Sequence, residues 1–157
     1  MSDKRFVKTV RYLAYLPWPV SEESAADSCV MGLGWRRLRT EGYATGGAME
    51  PDRVHLTAQY DGELATVTIP LTDRLDGEPT QDWVDFQEES RTAYRILAEE
   101  IFGPVQQEET LDGGTADSWL LRSGASVSII VTPETMVLKI ASPREGRAEL
   151  ARQVATP

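Results

Sequence analysis

Residues 54–71 read VHLTAQYDGELATVTIPL, and this stretch decides the fold. Two runs rich in Val, Leu, Thr and Ile flank Asp61-Gly62, the strongest short-range hairpin signal a sequence carries. A two-residue turn would set Tyr60 opposite Glu63, Ala58 opposite Ala65, Leu56 opposite Val67 and Val54 opposite Ile69. The apolar residues of both runs then share one face. His55, Thr57, Gln59, Thr66 and Thr68 share the other. A slip of one residue would destroy this match, so an antiparallel pair with one buried face is expected.

Working toward the C-terminus, the next readable block is residues 119–140, WLLRSGASVSIIVTPETMVLKI. Trp119–Arg122 meets Ala125–Thr132 through Ser123-Gly124, and a turn at Pro133-Glu134 leads into Thr135–Ile140. Val131 then faces Met136, Ile129 faces Leu138 and Val127 faces Ile140. All six are apolar, which marks a central strand pair against a core. Between the two blocks lies a long helix. Thr80 can cap it, and Trp83, Phe86, Ser90, Tyr94, Leu97 and Ile101 follow the spacing of a buried stripe until Gly103-Pro104 stops it. Residues 106–117 are rich in Gln, Glu, Asp and Gly and read as a loop.

Toward the N-terminus, Trp35–Thr40 reads as a strand with outward Arg36, Arg37 and Arg39. Gly42–Pro51 reads as a loop or a loosely paired strand, and its Gly46-Gly47 lacks the Lys-Ser/Thr of a phosphate loop. Ser21 caps a short helix with Glu22 and Glu23 in its first turn, a stripe of Ala26, Cys29, Val30 and Leu33, and a stop at Gly34. Residues 5–16 fit helix and strand periods equally, and the prolines around Trp18 end either one. Residues 1–20 are a basic leader or a first element. Residues 144–157 are a short helix, from Arg144 to Val154, with a frayed tail. The expectation is a single domain over 1–157. Its class is α+β, a twisted antiparallel β-sheet with one long helix on a face and short N- and C-terminal helices.

Composition narrows the function. The chain has 157 residues, 16 Lys+Arg against 25 Asp+Glu, and a net charge of −9. An acidic surface argues against nucleic acid or an anionic membrane as partner. Lys8 and Arg11 interrupt the apolar residues near the start, unlike a signal peptide, and no window approaches a membrane helix. A lone Cys29 excludes an internal disulfide and suits a cytoplasmic location. Its place on an apolar stripe marks it as a buried hydrophobe. His55 is the one histidine, on the polar face of the first hairpin. It has no second histidine for a metal pair and no G-x-S-x-G elbow to serve. No catalytic residue, metal or cofactor is expected.

What the sequence offers instead is concentrated charge. Eleven acidic residues from Asp76 to Asp112 face only Arg91 and Arg95, a balance of −9 within that stretch alone. On the long helix Asp82, Asp85 and Glu89, at i, i+3 and i+7, form one exposed ridge, with Glu78 and Glu88 beside it. Glu88–Arg91 and Arg95–Glu99 have the spacing of intrahelical pairs. Two functional readings follow. One is a non-enzymatic, cytoplasmic protein-binding module, of the immunity (toxin-neutralising) or secretion-chaperone kind, whose ridge occludes a basic toxin or secreted effector. The other is a small-molecule binder or enzyme with a pocket between sheet and helix lined by Trp35, Tyr43, Trp83, Tyr94 and Trp119. A homodimer through an exposed sheet edge is a further possibility.

The inferred order of helix, three strands, long helix, three strands and short helix resembles that of class I type III secretion chaperones and related small bacterial α+β binding proteins. That resemblance implies a sheet packed against helices in a protein that often dimerises. Separately, VHLTAQYDGELATVTIPLTD, the helix ending IFGPV and SWLLRSGASVSIIVTPETMVLKI are similar to an uncharacterised family of small actinobacterial proteins. There a strand block ending L-T-D precedes a helix ending at Gly-Pro and a tryptophan-led strand pair. The similarity supports the fold and brings no catalytic residues with it.

Overall fold

A computed structural model describes residues 1–155, apart from the side chains of residues 150 and 153–155; residues 156–157, part of the expected tail, lie outside the described residues. Twelve elements follow in order. They are α1 (Asp3–Ala14), α2 (Glu22–Leu33), β1 (Arg36–Arg37), β2 (Tyr43–Ala44), β3 (His55–Ala58) and β4 (Leu64–Pro70), then α3 (Gln81–Phe102), β5 (Gln107–Leu111), β6 (Gly114–Leu120), β7 (Ser126–Val131), β8 (Met136–Ala141) and α4 (Pro143–Ala155). The class is α+β. A six-stranded antiparallel sheet runs β3-β4-β8-β7-β6-β5, and β1-β2 form a small second sheet.

The β7–β8 hairpin has the expected register: Val131 opposite Met136, Ile129 opposite Leu138, Val127 opposite Ile140. Met136, Leu138, Ile140, Val127 and Ile129 are buried, and β4 adds Val67 and Ile69 on the same face. Helices α1, α2 and α3 supply the other half of this core through Phe6, Val10, Leu13, Ala25, Cys29, Tyr94 and Ala98. α4 packs on the opposite face, where Lys139 Nζ donates to Glu149 Oε1 at 2.8 Å.

Several expectations need correction, and one open reading is settled. The first hairpin keeps Leu56 opposite Val67, but Ala58 pairs with Leu64 across a bulge, not with Ala65. The Gln59 amide bonds to Glu63 O and the Gly62 amide to Gln59 O, and Gly62 takes φ 87° while among the described residues no non-glycine has positive φ. That is a turn closed by a glycine bulge; a two-residue type I′ turn would need Asp61 at positive φ as well. The bulge sends Leu64 into the core and leaves Tyr60 95% exposed.

Of residues 5–16, those up to Ala14 lie in helix α1, and Tyr15 caps it. Ser2 caps α1, and Phe6, Val10 and Leu13 lie on its fully buried face, so the basic start is a structural element with Lys4, Lys8 and Arg11 outward. The strand expected at Trp35–Thr40 shrinks to Arg36–Arg37, paired with Tyr43–Ala44. Residues 106–117 are not a loop. They build β5 and the start of β6 around Asp112-Gly113, with Leu111 opposite Gly114. Two helices therefore precede the sheet, and four strands, not three, follow α3.

The helix stripes are turned from their expected positions. On α2 the buried residues are Ala25, Ala26 and Cys29, and Val30 is 39% exposed. On α3 they are Gln87, Tyr94 and Ala98, and Phe86 is 46% exposed. The α3 face is turned because Gln87 and Arg91 have polar partners beneath them. Gln87 Nε2 donates to Thr132 O at 2.9 Å.

Candidate docking surface around the long helix

Helix α3 holds its position through an ion cluster on its sheet side. Arg91 Nε donates to Asp117 Oδ2 at 2.9 Å and Nη2 to Asp117 Oδ1 at 2.8 Å; Nη2 also reaches Glu108 Oε1 at 2.9 Å. Asp117 sits on β6, faces the core opposite Ile129, and has no exposed surface. A buried carboxylate of this kind needs a two-pronged cation, and a guanidinium fits it. The Asp117 hydrogen bonds raise the Arg91 pKa further, against the burial that would lower it. Arg95 Nε donates to Glu99 Oε1 at 2.8 Å, the expected intrahelical pair. Arg91, by contrast, turns to the sheet and not to Glu88.

The opposite side of α3 carries the acidic row. Asp82, Asp85, Glu88 and Glu89 are exposed, as is Glu78 in the preceding loop. At 100° per residue Asp82, Asp85 and Glu89 lie on the arc of α3 away from Gln87, Tyr94 and Ala98, while Glu88 lies on the flank beside Arg91 and Arg95. Gln81 Nε2 donates to Asp85 Oδ1 at 2.8 Å, a contact that leaves the charge intact. Phe86 lies at the border of this row, its ring 5.6 Å from that of Trp83, which anchors its own indole N–H on Pro133 O at 2.9 Å. Phe86, Ser90, Ala93 and Tyr94 then form one wall of a groove of about 620 Å³. Asp3 and Arg5 of α1, the Gly46–Met49 loop and Asp73 form much of the rest. The loop is shaped by Asp52, which accepts from the Thr45 and Gly46 amides at 3.1 and 2.8 Å.

The five aromatics expected to line one pocket do not converge. Trp35 and Tyr43 meet each other, with centroids 6.4 Å apart. Trp83 stacks on Phe86. Tyr94 packs on Phe6 at 4.8 Å, and its hydroxyl donates to Met1 O and Leu71 O. Trp119 packs on Phe102 and donates to Gly103 O at 3.0 Å. Each holds a separate part of the core in place. Burial pushes the Tyr94 hydroxyl up to about 12.

A second concavity, of about 600 Å³, lies on the back of the sheet beside α4; Ser118, Ser128, Leu120, Ile130 and Lys139 line much of it. Sequence reasoning missed it, because it depends on β5, a strand without alternating apolar residues.

Neither lone reactive residue forms a site. Cys29 is buried, and burial pushes its thiol up to about 12. His55 is exposed on β3, opposite Thr68. Among the described residues no cluster of His, Cys, Asp and Glu is placed to hold a metal ion, and no helix is long and apolar enough to cross a membrane.

Neither a curated protein nor a solved structure matches the chain. Residues 4–142, from the first turn of α1 to the residue after β8, match a family of unknown function, DUF6301, and the chain belongs to that family.

Proposed function

We propose that this protein is a non-enzymatic binding module that docks a basic protein surface with the exposed face of α3. The observation that carries the reading is the pairing of a half-exposed Phe86 with the carboxylates of Asp82, Asp85 and Glu89 on adjoining arcs of one helix. Anchored interfaces use an aromatic contact in a cleft for affinity and surrounding charge for rate and selectivity. The groove beside Phe86 gives a partner side chain somewhere to go. Glu78 and Glu88 extend the negative field along the helix. The interior ion cluster supports the reading as well. It consumes Arg91 and Arg95, the cations that would otherwise offset the row.

A toxin-neutralising role suits such a surface, since occlusion of a cationic active site requires no chemistry of its own. A secretion-chaperone role draws on the looser likeness of one sheet packed under helices. A cytoplasmic setting and an actinobacterial source are part of the same proposal, the first resting on the unpaired, buried Cys29.

The test is an association measurement with a candidate basic protein partner at low and high salt. Asp85→Lys/Glu89→Lys should slow the on-rate at low salt by about tenfold or more and flatten its salt dependence. Phe86→Ala should act mainly on the off-rate. An unchanged on-rate and salt slope in the charge-reversed protein would overturn the proposal.

A further inference from the structure

The six-stranded sheet ends on β5, and among the described residues no strand pairs with the outer side of β5. Its register with β6 fixes which backbone groups face outward. Leu111 and Gly114 close the Asp112-Gly113 turn as a hydrogen-bonded pair, so Leu111, Glu109 and Gln107 bond to β6. The N–H and C=O groups of Glu108 and Thr110 therefore point away from the sheet. Unpaired groups in this arrangement are a template for one kind of ligand, an extended peptide.

The surroundings narrow that peptide further. On the α3 side, Glu108 stands beside a cleft of about 410 Å³ lined by Glu88, Thr92, Ile96 and Glu99 with the two arginines. On the back, Glu109 and Leu111 border the trough that holds Leu120, itself 63% exposed. Side chains of an added strand would alternate between these two hollows. Carboxylates at Glu88, Glu99, Glu108, Glu109 and Asp112 surround the edge. Arg91 and Arg95 are bound to Asp117 and Glu99 and also reach Glu108, at 2.9 and 3.6 Å, yet the Glu108 carboxylate stays about half exposed toward the edge.

A second copy of β5 fits poorly. Antiparallel pairing centred on Glu109 sets Glu109 against Glu109, and a shift either way sets Glu108 against Glu108 or against Asp112. Like charges directly opposite are destabilising.

We propose that the free edge of β5 takes up an extended segment of a basic partner as a seventh strand, its Lys or Arg side chains facing Glu88 and Glu108 and its apolar ones entering the trough beside Glu109 and Leu120. This rests on the reading of the protein as an acidic docking module and names how the partner is held.

The probe is a fluorescein-labelled octapeptide of alternating Lys and Val, followed by anisotropy with the full chain. A Lys-Pro peptide of the same length and charge is the control, because proline cannot complete a ladder. Binding of Lys-Val at least about tenfold tighter than Lys-Pro is expected. Thr110→Pro should remove that advantage with no loss from the β5–β6 ladder, since the Thr110 amide points outward. In the unaltered protein, peptide should also slow hydrogen exchange at the Glu108 and Thr110 amides, a readout independent of whether the variant folds.

Equal binding of the two peptides, or no slowing at those amides, overturns the edge proposal and leaves the α3 docking reading standing. Failure of the α3 charge reversal, by contrast, tells against that reading whatever the edge does. Concentration-dependent dimerisation that Thr110→Pro abolishes would assign the edge to a second copy and overturn the proposal too.

Discussion

Arg91→Met is the most informative perturbation of the interior. In the folded protein the guanidinium makes two hydrogen bonds to Asp117, at 2.9 and 2.8 Å, and a third to Glu108. Its loss leaves a fully buried carboxylate with the Arg95 guanidinium 3.7 Å away as its remaining cation. Breaking a buried pair by removing one partner costs about 3–5 kcal/mol, because the other charge remains desolvated. Arg91 is itself a quarter exposed, so water can enter the gap, and the lower end, about 3 kcal/mol, is expected. At about 2–4 °C per kcal/mol for a chain of this size, Tm should fall by about 6–12 °C. The double variant Arg91→Met/Asp117→Leu removes both charges and should recover to within about 1 kcal/mol of the parent. Urea unfolding followed by tryptophan fluorescence measures all three proteins, and Trp119, next but one to Asp117, reports on the site directly. A cost below about 1 kcal/mol for Arg91→Met, or a double variant no better than the single, would refute the reasoning.

Three further outcomes are expected. Gly114→Ala should destabilise by about 1–3 kcal/mol in the same unfolding assay, because a Cβ there collides with the Val131 carbonyl oxygen across the β6–β7 ladder; an unaffected midpoint would contradict the placement of β6. The Cys29 thiol should resist a disulfide reagent at neutral pH in the folded protein and react fully in urea, since burial disfavours its thiolate; rapid reaction in the native state would mean an accessible sulfur. Stability should decline with rising pH through the alkaline range. Cys29 and Tyr94 ionise near 9.0 and 10.0 when unconstrained but near 12 when folded, so above pH 9 the folded chain binds more protons than the unfolded one. The stabilisation is complete below 9 and lost by about 12; a urea midpoint constant from pH 8 to about 11 would refute it.

How much of this was legible in the sequence depended on how strongly burial constrained each segment. The β7–β8 hairpin could be read residue by residue because Val127, Ile129, Val131, Met136, Leu138 and Ile140 permit one register only. In the first hairpin the buried face was legible, but the bulge was not, since Asp-Gly serves a two-residue turn and a glycine-bulge turn alike. Strand β5, with the sequence QEETL, is exposed on both faces, so no alternation betrays it. Asp112-Gly113 was its one available signal, the same dipeptide that marked the first hairpin. The acidic row on α3 followed from spacing alone, because a helix converts i, i+3 and i+7 into one surface line. The ion cluster beneath it did not. Arg91 occupies a stripe position between Gln87 and Tyr94, and a charge at such a position signals a buried partner. That partner, Asp117, lies 26 residues away.

The central claim is that a cationic partner meets this protein on the outward carboxylates of α3 and the neighbouring β5 edge. Backbone amide chemical shifts of the isotopically labelled protein, followed while the Lys-Val peptide is titrated in at low salt, test it most directly. The account predicts shifts concentrated at Asp82–Glu89, at Gln107–Leu111 and at Leu120, fading together as salt is raised. Shifts centred elsewhere, such as on α2 or the β3 edge, or none at saturating peptide, would contradict it.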